Sequence, residues 1–288
     1  MTTELPGPAR EGDAPALRLP EPGLLFDRRA ARLAALAPGH AAPEWLALLS
    51  RIAAGQALAV REIRAAGVCA PAGGPPLAYD LLPRDDAWRR MLGIVLAAAK
   101  APGLPLETQD ALRRLADAGV TELEALADGV LAGAVAADRL STAPFVGAAL
   151  QAWLASLAAA LDPAAAAPAE GACPICGGPP LAGVVQAGDR LRYVTCAVCA
   201  AEWNVPRVRC VVCGGGAGLE YLHVDGDPGA KAEVCPACRV YVKIFDEEKR
   251  PGVDAGADDA ATLTLDLLVA NEGYARAGPN LYVGVQAG

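Results

Sequence analysis

The chain has 288 residues, enough to bury a core without covalent staples, and its length suggests one or two domains. It is 53% hydrophobic but only 5% aromatic, rich in the helix formers alanine and leucine, and carries a formal charge of -8. That acidic balance excludes a general nucleic-acid binder, which needs a basic surface to neutralise phosphates.

Residues 1–22 are polar and proline-rich and read as a flexible N-terminal arm. They lack a basic segment followed by an apolar run, so no export signal is expected and the expected location is cytoplasmic. Residues 23–162 read as an α-helical domain. Its first expected helix runs from Asp27 to Leu36. The second, Pro43 to Ala66, has Trp45, Leu46, Leu49, Ile52 and Leu58 as its apolar set. The third spans Asp86 to Ala99, with Trp88, Leu92 and Val95 on one face, and the fourth spans Leu106 to Ala118 and stops at Gly119. Thr121 and Glu124 have the spacing of a capping box, which opens a helix from Glu122 towards Leu140.

The last expected helix covers Ala143 to Leu161. The run Thr142 to Leu161 is uncharged and about one bilayer span long. Pro144, Gln151 and Ser156 interrupt it, and Val146, Leu150, Trp153, Leu154, Leu157 and Leu161 recur at helical spacing. A buried helix is therefore expected, and no membrane insertion.

Residues 163–172 contain Pro163, Pro168 and small residues, and read as a linker. Beyond it the composition changes: cysteines come in pairs, glycines cluster and β-branched residues increase. Short strands are expected at Val184-Val185, Tyr193 to Thr195, Val205 to Val212, Tyr221 to Val224 and Val240 to Phe245. Residues 173–204 read as a first four-cysteine ribbon and 205–250 as a second. Residues 251–288 read as a C-terminal helix and tail, the helix over Asp258 to Glu272.

Nine cysteines occur, and eight form four CxxC pairs: Cys173/Cys176, Cys196/Cys199, Cys210/Cys213 and Cys235/Cys238. This spacing lets one tight turn present two thiolates to the same ion, and two such turns complete a tetrahedron. Similar separations between knuckles favour Cys173, Cys176, Cys196 and Cys199 as one site, and Cys210, Cys213, Cys235 and Cys238 as the other. An interleaved pairing of the same eight residues stays open. The halves also repeat a glycine after the first knuckle (Gly177, Gly214) and an aromatic after the second (Trp203, Tyr241). Disulfides fit an exported protein, and redox CxxC chemistry usually relies on one motif; neither suits four pairs here. A tetrathiolate set suits zinc or a single iron, and the ligands alone leave the choice open. His223 reads as a strand residue, with a ligand role open only if a cysteine is displaced. Cys69 reads as a small buried hydrophobe.

Several ordered segments carry a family resemblance: Leu17-Arg-Leu-Pro20, Phe26-Asp-Arg-Arg29, Pro75-Pro-Leu77, Cys173-Pro-Ile-Cys-Gly177, Leu191-Arg-Tyr-Val-Thr-Cys196, Glu202-Trp203, Arg207-Val-Arg-Cys210, Lys243-Ile-Phe, Ala257-Asp-Asp-Ala-Ala-Thr-Leu263, Leu265-Asp-Leu267 and Glu272-Gly-Tyr. Together they resemble the formate dehydrogenase accessory protein FdhE family over nearly the whole chain. The close, Asn280-Leu-Tyr-Val283, departs from an Asn-Pro-Phe-like ending. The resemblance implies a cytoplasmic, non-catalytic maturation factor with rubredoxin-like knuckles associated with iron. It would act on the catalytic subunit of respiratory formate dehydrogenase, a molybdenum and iron–sulfur enzyme exported folded. It also carries the family's metal cysteines onto all eight paired positions.

The expected fold is therefore α+β: an α-helical N-terminal domain, two tandem rubredoxin-like or zinc-ribbon modules of four cysteines each, and a C-terminal helix. The expected cofactors are two tetrathiolate-bound metal ions, iron favoured over zinc. The expected partner is the formate dehydrogenase catalytic subunit, with the chain a monomer or weak homodimer. The alternatives are a rubredoxin-like electron-transfer protein, for which the helical domain is surplus, and a zinc-stapled interaction module with another partner. Basic and acidic residues balance between Cys173 and Arg250, which argues against nucleic acid. No nucleophile–base set, P-loop or GxGxxG is found, so no enzyme is expected. Asp258 and Asp259 read as a helix N-terminus, with a partner contact as the functional alternative.

Overall fold

The computed structural model describes residues 14–65, 74–167, 170–227 and 229–283. Most of the expected arm, Cys69, the end of the second expected helix and the final tail lie outside them.

The first described element, β1 (Leu17–Arg18), lies in the expected arm and pairs with residues 202 and 203. Six α-helices follow: α1 (Pro22–Leu36), α2 (Pro43–Glu62), α3 (Ala87–Ala99), α4 (Leu106–Asp117), α5 (Val120–Leu131) and α6 (Ala143–Ala159). Proline opens α1, α2 and α6. At that position its missing N–H removes no intrahelical bond. The helix expected to reach Leu140 ends at Leu131, and a 3-10 turn over Ala137–Thr142 leads into α6.

Helix α6 is the centre of the helical region. It packs against α2, α3 and α5 and is buried on nearly every side. The stretch Ala137–Ala159 is long and apolar enough to cross a membrane, and 89% of its apolar window is buried inside the protein. Gly147 lets the C-terminal segment cross α6, since a Cβ there would lie 2.6 Å from the Leu281 carbonyl oxygen.

The expected capping box does not form. Helix α5 starts at Val120, its N-cap is Gly119, and no side chain caps it. The Glu124 carboxylate instead accepts from Arg84 Nε at 2.8 Å, from the Trp88 indole at 3.1 Å and from Arg89. Two guanidiniums hold that carboxylate more strongly than one backbone N–H would.

The remaining strands are β2 (Pro180–Val185), β3 (Arg192–Cys196), β4 (Glu202–Asn204), β5 (Glu220–Leu222), β6 (Ala230–Cys235), β7 (Val240–Asp246) and β8 (Ala275–Arg276). All described strands join one sheet in the order β1-β4-β3-β2-β7-β6-β5, with β8 paired to β7. Antiparallel pairs build each ribbon, β2–β3–β4 and β5–β6–β7. The ribbons meet through the parallel pair β2–β7, with Ala182 opposite Lys243 and Val184 opposite Phe245. The architecture is thus mixed α and β, a helical N-terminal region followed by a sheet region with both cysteine groups and then C-terminal helices.

Two further expected elements differ. Val205 to Val212 is a loop, not a strand. Pro206 has no N–H to give to a ladder. The carbonyls of Val205, Pro206 and Arg209 are taken by the buried Arg192 guanidinium at 3.2, 2.7 and 2.7 Å. The expected helix over Asp258 to Glu272 is two helices, α7 (Ala255–Ala260) and α8 (Leu263–Asn271). At the break the Lys243 ammonium donates to the carbonyls of Asp259 at 2.8 Å and Thr262 at 3.2 Å.

Candidate metal centres

Each CxxC pair sits on a tight turn, two of them starting at the last residue of a strand (Cys196 of β3 and Cys235 of β6), and the turns share one geometry. The residue after the second cysteine has positive φ in all four: Gly177 (75°), Ala200 (59°), Gly214 (68°) and Arg239 (58°). In three of them its N–H bonds back to the first cysteine's carbonyl: Gly177 to Cys173 at 2.8 Å, Gly214 to Cys210 at 3.1 Å and Arg239 to Cys235 at 2.8 Å. The left-handed residue explains the glycine after each first knuckle, because glycine adopts it without a Cβ penalty. Ala200 and Arg239 show that the conformation is kept even where a side chain makes it unfavourable.

These turns aim backbone N–H groups at sulfur. Ile175 N–H lies 3.4 Å from Cys173 Sγ, Gly178 N–H 3.3 Å from Cys176 Sγ, Val198 N–H 3.3 Å from Cys196 Sγ and Val212 N–H 3.4 Å from Cys210 Sγ. Such donors favour the thiolate, the form that binds metal.

The sheet then brings the knuckles together in pairs. Cys173, Cys176, Cys196 and Cys199 form one group and Cys210, Cys213, Cys235 and Cys238 the other, with all sulfurs of a group within 4.8 Å of one another. The interleaved combination is not the one the fold makes. Sulfur–sulfur distances are 3.7 Å for Cys173–Cys199 and 3.5 Å for Cys176–Cys196. They are 3.8 Å for Cys210–Cys238 and 3.7 Å for Cys213–Cys235. A tetrahedral ion with bonds of ~2.3 Å to sulfur sets its ligands ~3.8 Å apart. The donor set and spacing fit such an ion, and are far too long for disulfides.

The electrostatics are compatible with a bound cation: hydrogen bonds from the Cys176, Cys196 and Cys199 thiols hold the Cys173 thiol well below its ordinary range. Burial pushes the Cys176 and Cys199 thiols well above their ordinary range, and neighbouring sulfurs raise them further. The Cys238 thiol is pushed up to about 12 by burial and by Cys235. Burial opposes ionisation of Cys235 too, but the Cys238 and Ala237 backbone N–H groups and the neighbouring thiols bring it down to about 7. Four crowded sulfurs resist joint ionisation, and a divalent ion removes that repulsion.

The surroundings of the two groups differ. The first is backed by the helical region: Leu77 N–H donates to the Ile175 carbonyl at 2.9 Å and Tyr79 N–H to the Cys176 carbonyl at 3.0 Å. From α6, the Gln151 amide donates to the Ala197 carbonyl at 2.8 Å, and its oxygen accepts from Arg29 at 2.7 Å. Sequence reasoning missed these supports, although a glutamine within so apolar a helix was a signal. His223 is exposed just beyond β5 and belongs to neither group.

Asp258 lies in the first turn of α7, as expected of a helix N-terminus, but the partner-contact alternative needs correcting. Both side chains are fully buried, so neither is free to meet a partner. Asp254, not this pair, caps α7, accepting from Ala257 N–H at 2.7 Å. Asp258 pairs with Arg32 at 2.7 Å and Arg250 at 2.6 Å. Asp259 meets Arg276, Lys243 and Asn280. Asn280 and Tyr282 are likewise interior: Asn280 donates to the Gly256 carbonyl at 3.0 Å, and Tyr282 bonds Gln56 and Arg29.

Three family models match in sequence: FdhE, N-terminal over residues 14–170, FdhE, central domain over 172–207, and FdhE, C-terminal domain over 208–283. A Protein FdhE homolog of Pseudomonas aeruginosa is 37% identical over 276 residues, which are 89% of each chain. A Protein FdhE of Escherichia coli is 35% identical over 286 residues, covering 93% of this chain and 91% of that protein. The crystal structure of the FdhE protein from Pseudomonas aeruginosa superposes with a TM-score of 0.80 at 35% identity, covering 93% of this chain and 98% of that one.

Proposed function

The chain belongs to the FdhE family, and from that premise we infer that it is an accessory protein for formate dehydrogenase. We propose a non-catalytic, cytoplasmic maturation factor, monomeric or weakly dimeric, that binds the catalytic subunit of the respiratory enzyme. The observation that carries the reading is the run of three family matches across the chain, with all eight paired cysteines gathered into two tetrathiolate groups.

In this reading Cys173, Cys176, Cys196 and Cys199 hold one ion, and Cys210, Cys213, Cys235 and Cys238 the other. Iron is the proposed ion and zinc the alternative for the same ligands. Four sulfurs leave no open position for hydrolysis, so the ions would staple the sheet. An iron centre would add a reversible one-electron change, through which partner affinity could respond to oxygen. The chain's own residues set the geometry: the knuckle N–H groups hold the thiolates, and the helical region gives a second surface for the partner.

Deletion of the gene in the native host tests the reading. Respiratory formate dehydrogenase activity should fall sharply, return with the wild-type gene, and stay low with Cys176→Ser. Full activity in the deletion strain would count against a maturation role.

A further inference from the structure

The two centres have the same ligands but not the same access. Cys173, Cys176, Cys196 and Cys199 are all 0% exposed. They belong to the main buried core together with Leu77, Ile175 and Val198. Backbone bonds from Leu77 and Tyr79, and the Gln151 amide, tie both first-site knuckles to the helical region. An external ligand can reach these sulfurs only if that packing opens.

The second group is half open. Cys210 and Cys235 are buried, but Cys213 is exposed and Cys238 is intermediate. Cys213 is followed by Gly214, Gly215 and Gly216, all exposed, so no side chain screens it from that side. Cys238 is followed by Arg239, whose guanidinium is turned onto the carbonyls of Glu272 and Gly273 at 3.0 and 2.9 Å and over the Tyr274 ring at 4.2 Å. The sulfur geometry remains that of a complete site. Exchange at a tetrathiolate ion needs an incoming donor to approach as a resident sulfur leaves, so access governs which site exchanges.

We propose that the second centre is an exchange site, open through Cys213 to a thiol-class ligand from outside the chain, while the first is a sealed staple. This rests on the metal reading above. In the exchange the incoming thiol sulfur bonds the ion as the bond to Cys213 Sγ breaks. The thiol's proton passes to the departing Cys213 thiolate, and no electron is transferred. A cysteine presented by a partner polypeptide has the chemistry to enter in this way.

The test uses the full chain loaded anaerobically with two zinc ions. Dithiothreitol is the incoming thiol and a colorimetric zinc chelator reports release; in a parallel sample without dithiothreitol, N-ethylmaleimide labelling is mapped by mass spectrometry. One ion should leave quickly, with Cys213 and Cys238 labelled first. The first-site cysteines should react at least about tenfold more slowly, since they wait on local opening. Cys213→Ser should remove the fast phase and leave one slow ion. Release of both ions at one rate, or earlier labelling of Cys173, Cys176, Cys196 or Cys199, would overturn the inequality and leave the metal reading intact. A chain that takes up no zinc would overturn both, and the ion count reveals this before any reagent is added.

Discussion

Arg192 and Glu233 show how much depends on single side chains. Arg192 Nη1 lies 2.7 Å from both Glu233 carboxylate oxygens, and the side chains are 1% and 3% exposed. Arg192 also holds the loop that delivers Cys210. Replacing Glu233 with Gln leaves a guanidinium buried without its counter-ion, which costs roughly 3–5 kcal/mol. Urea unfolding of the metal-loaded protein should show a loss of that size. Cys176→Ser should be more severe, because structural zinc contributes roughly 10–16 kcal/mol in small peptides. The variant should bind one ion fewer by elemental analysis and lose the fold of its ribbon. Asp259 sets a pH dependence. Burial alone would raise its carboxyl, but the Arg276 guanidinium and Lys243 ammonium hold it below the ordinary range. A depressed carboxylate stabilises the fold above its unfolded pKa of ~3.9, and the gain disappears as pH falls through that value towards the folded one. The stability gap between wild type and Asp259→Asn should therefore be widest at neutral pH and narrow below pH ~4 in urea titrations.

The crossing of α6 and the C-terminal segment makes a local contact testable. Gly147 has no room for a Cβ beside the Leu281 carbonyl, so Gly147→Val should displace residues 280–283 and destabilise the chain by about 1–3 kcal/mol, the usual range for overpacking. Limited proteolysis should then clip the C-terminus faster. Elements were legible in the sequence where their cause was local. The CxxC spacing and its following glycine set each knuckle, and Ala/Leu periodicity marked α2, α3, α4 and α6 to within a few residues at most boundaries. Where the cause was remote, local patterns carried little warning, Pro206 in the stretch after β4 being the exception. The α7–α8 break is made by Lys243, a residue of β7. The loop after β4 is held by Arg192 of β3, and the capping glutamate was claimed by Arg84 and Arg89. Strand β6 was missed because Ala230, Lys231, Ala232 and Glu233 have low strand propensity; pairing with β5 and β7 overrides it.

The two ribbons and the helical region are joined in one fold. A single sheet runs through both ribbons, joined by the parallel β2–β7 pair. Buried charges then fasten α1 to the C-terminal part: Arg29 to Asp254 at 2.8 Å and Arg32 to Asp258 at 2.7 Å. Stripping both ions by chelation should therefore lower the thermal midpoint of helix and sheet signals together, in one cooperative transition followed by circular dichroism. Separate transitions would show that the helical region stands alone. The most direct measurement for the accessory role is anaerobic affinity capture of the chain from its native host, with mass spectrometry of bound proteins and metal analysis of the bait. Enrichment of the formate dehydrogenase catalytic subunit, with about two iron ions per chain, one for each tetrathiolate group, is the expected result. Capture without that subunit, on a bait holding zinc, would contradict the account and leave a zinc-stapled protein that binds something else.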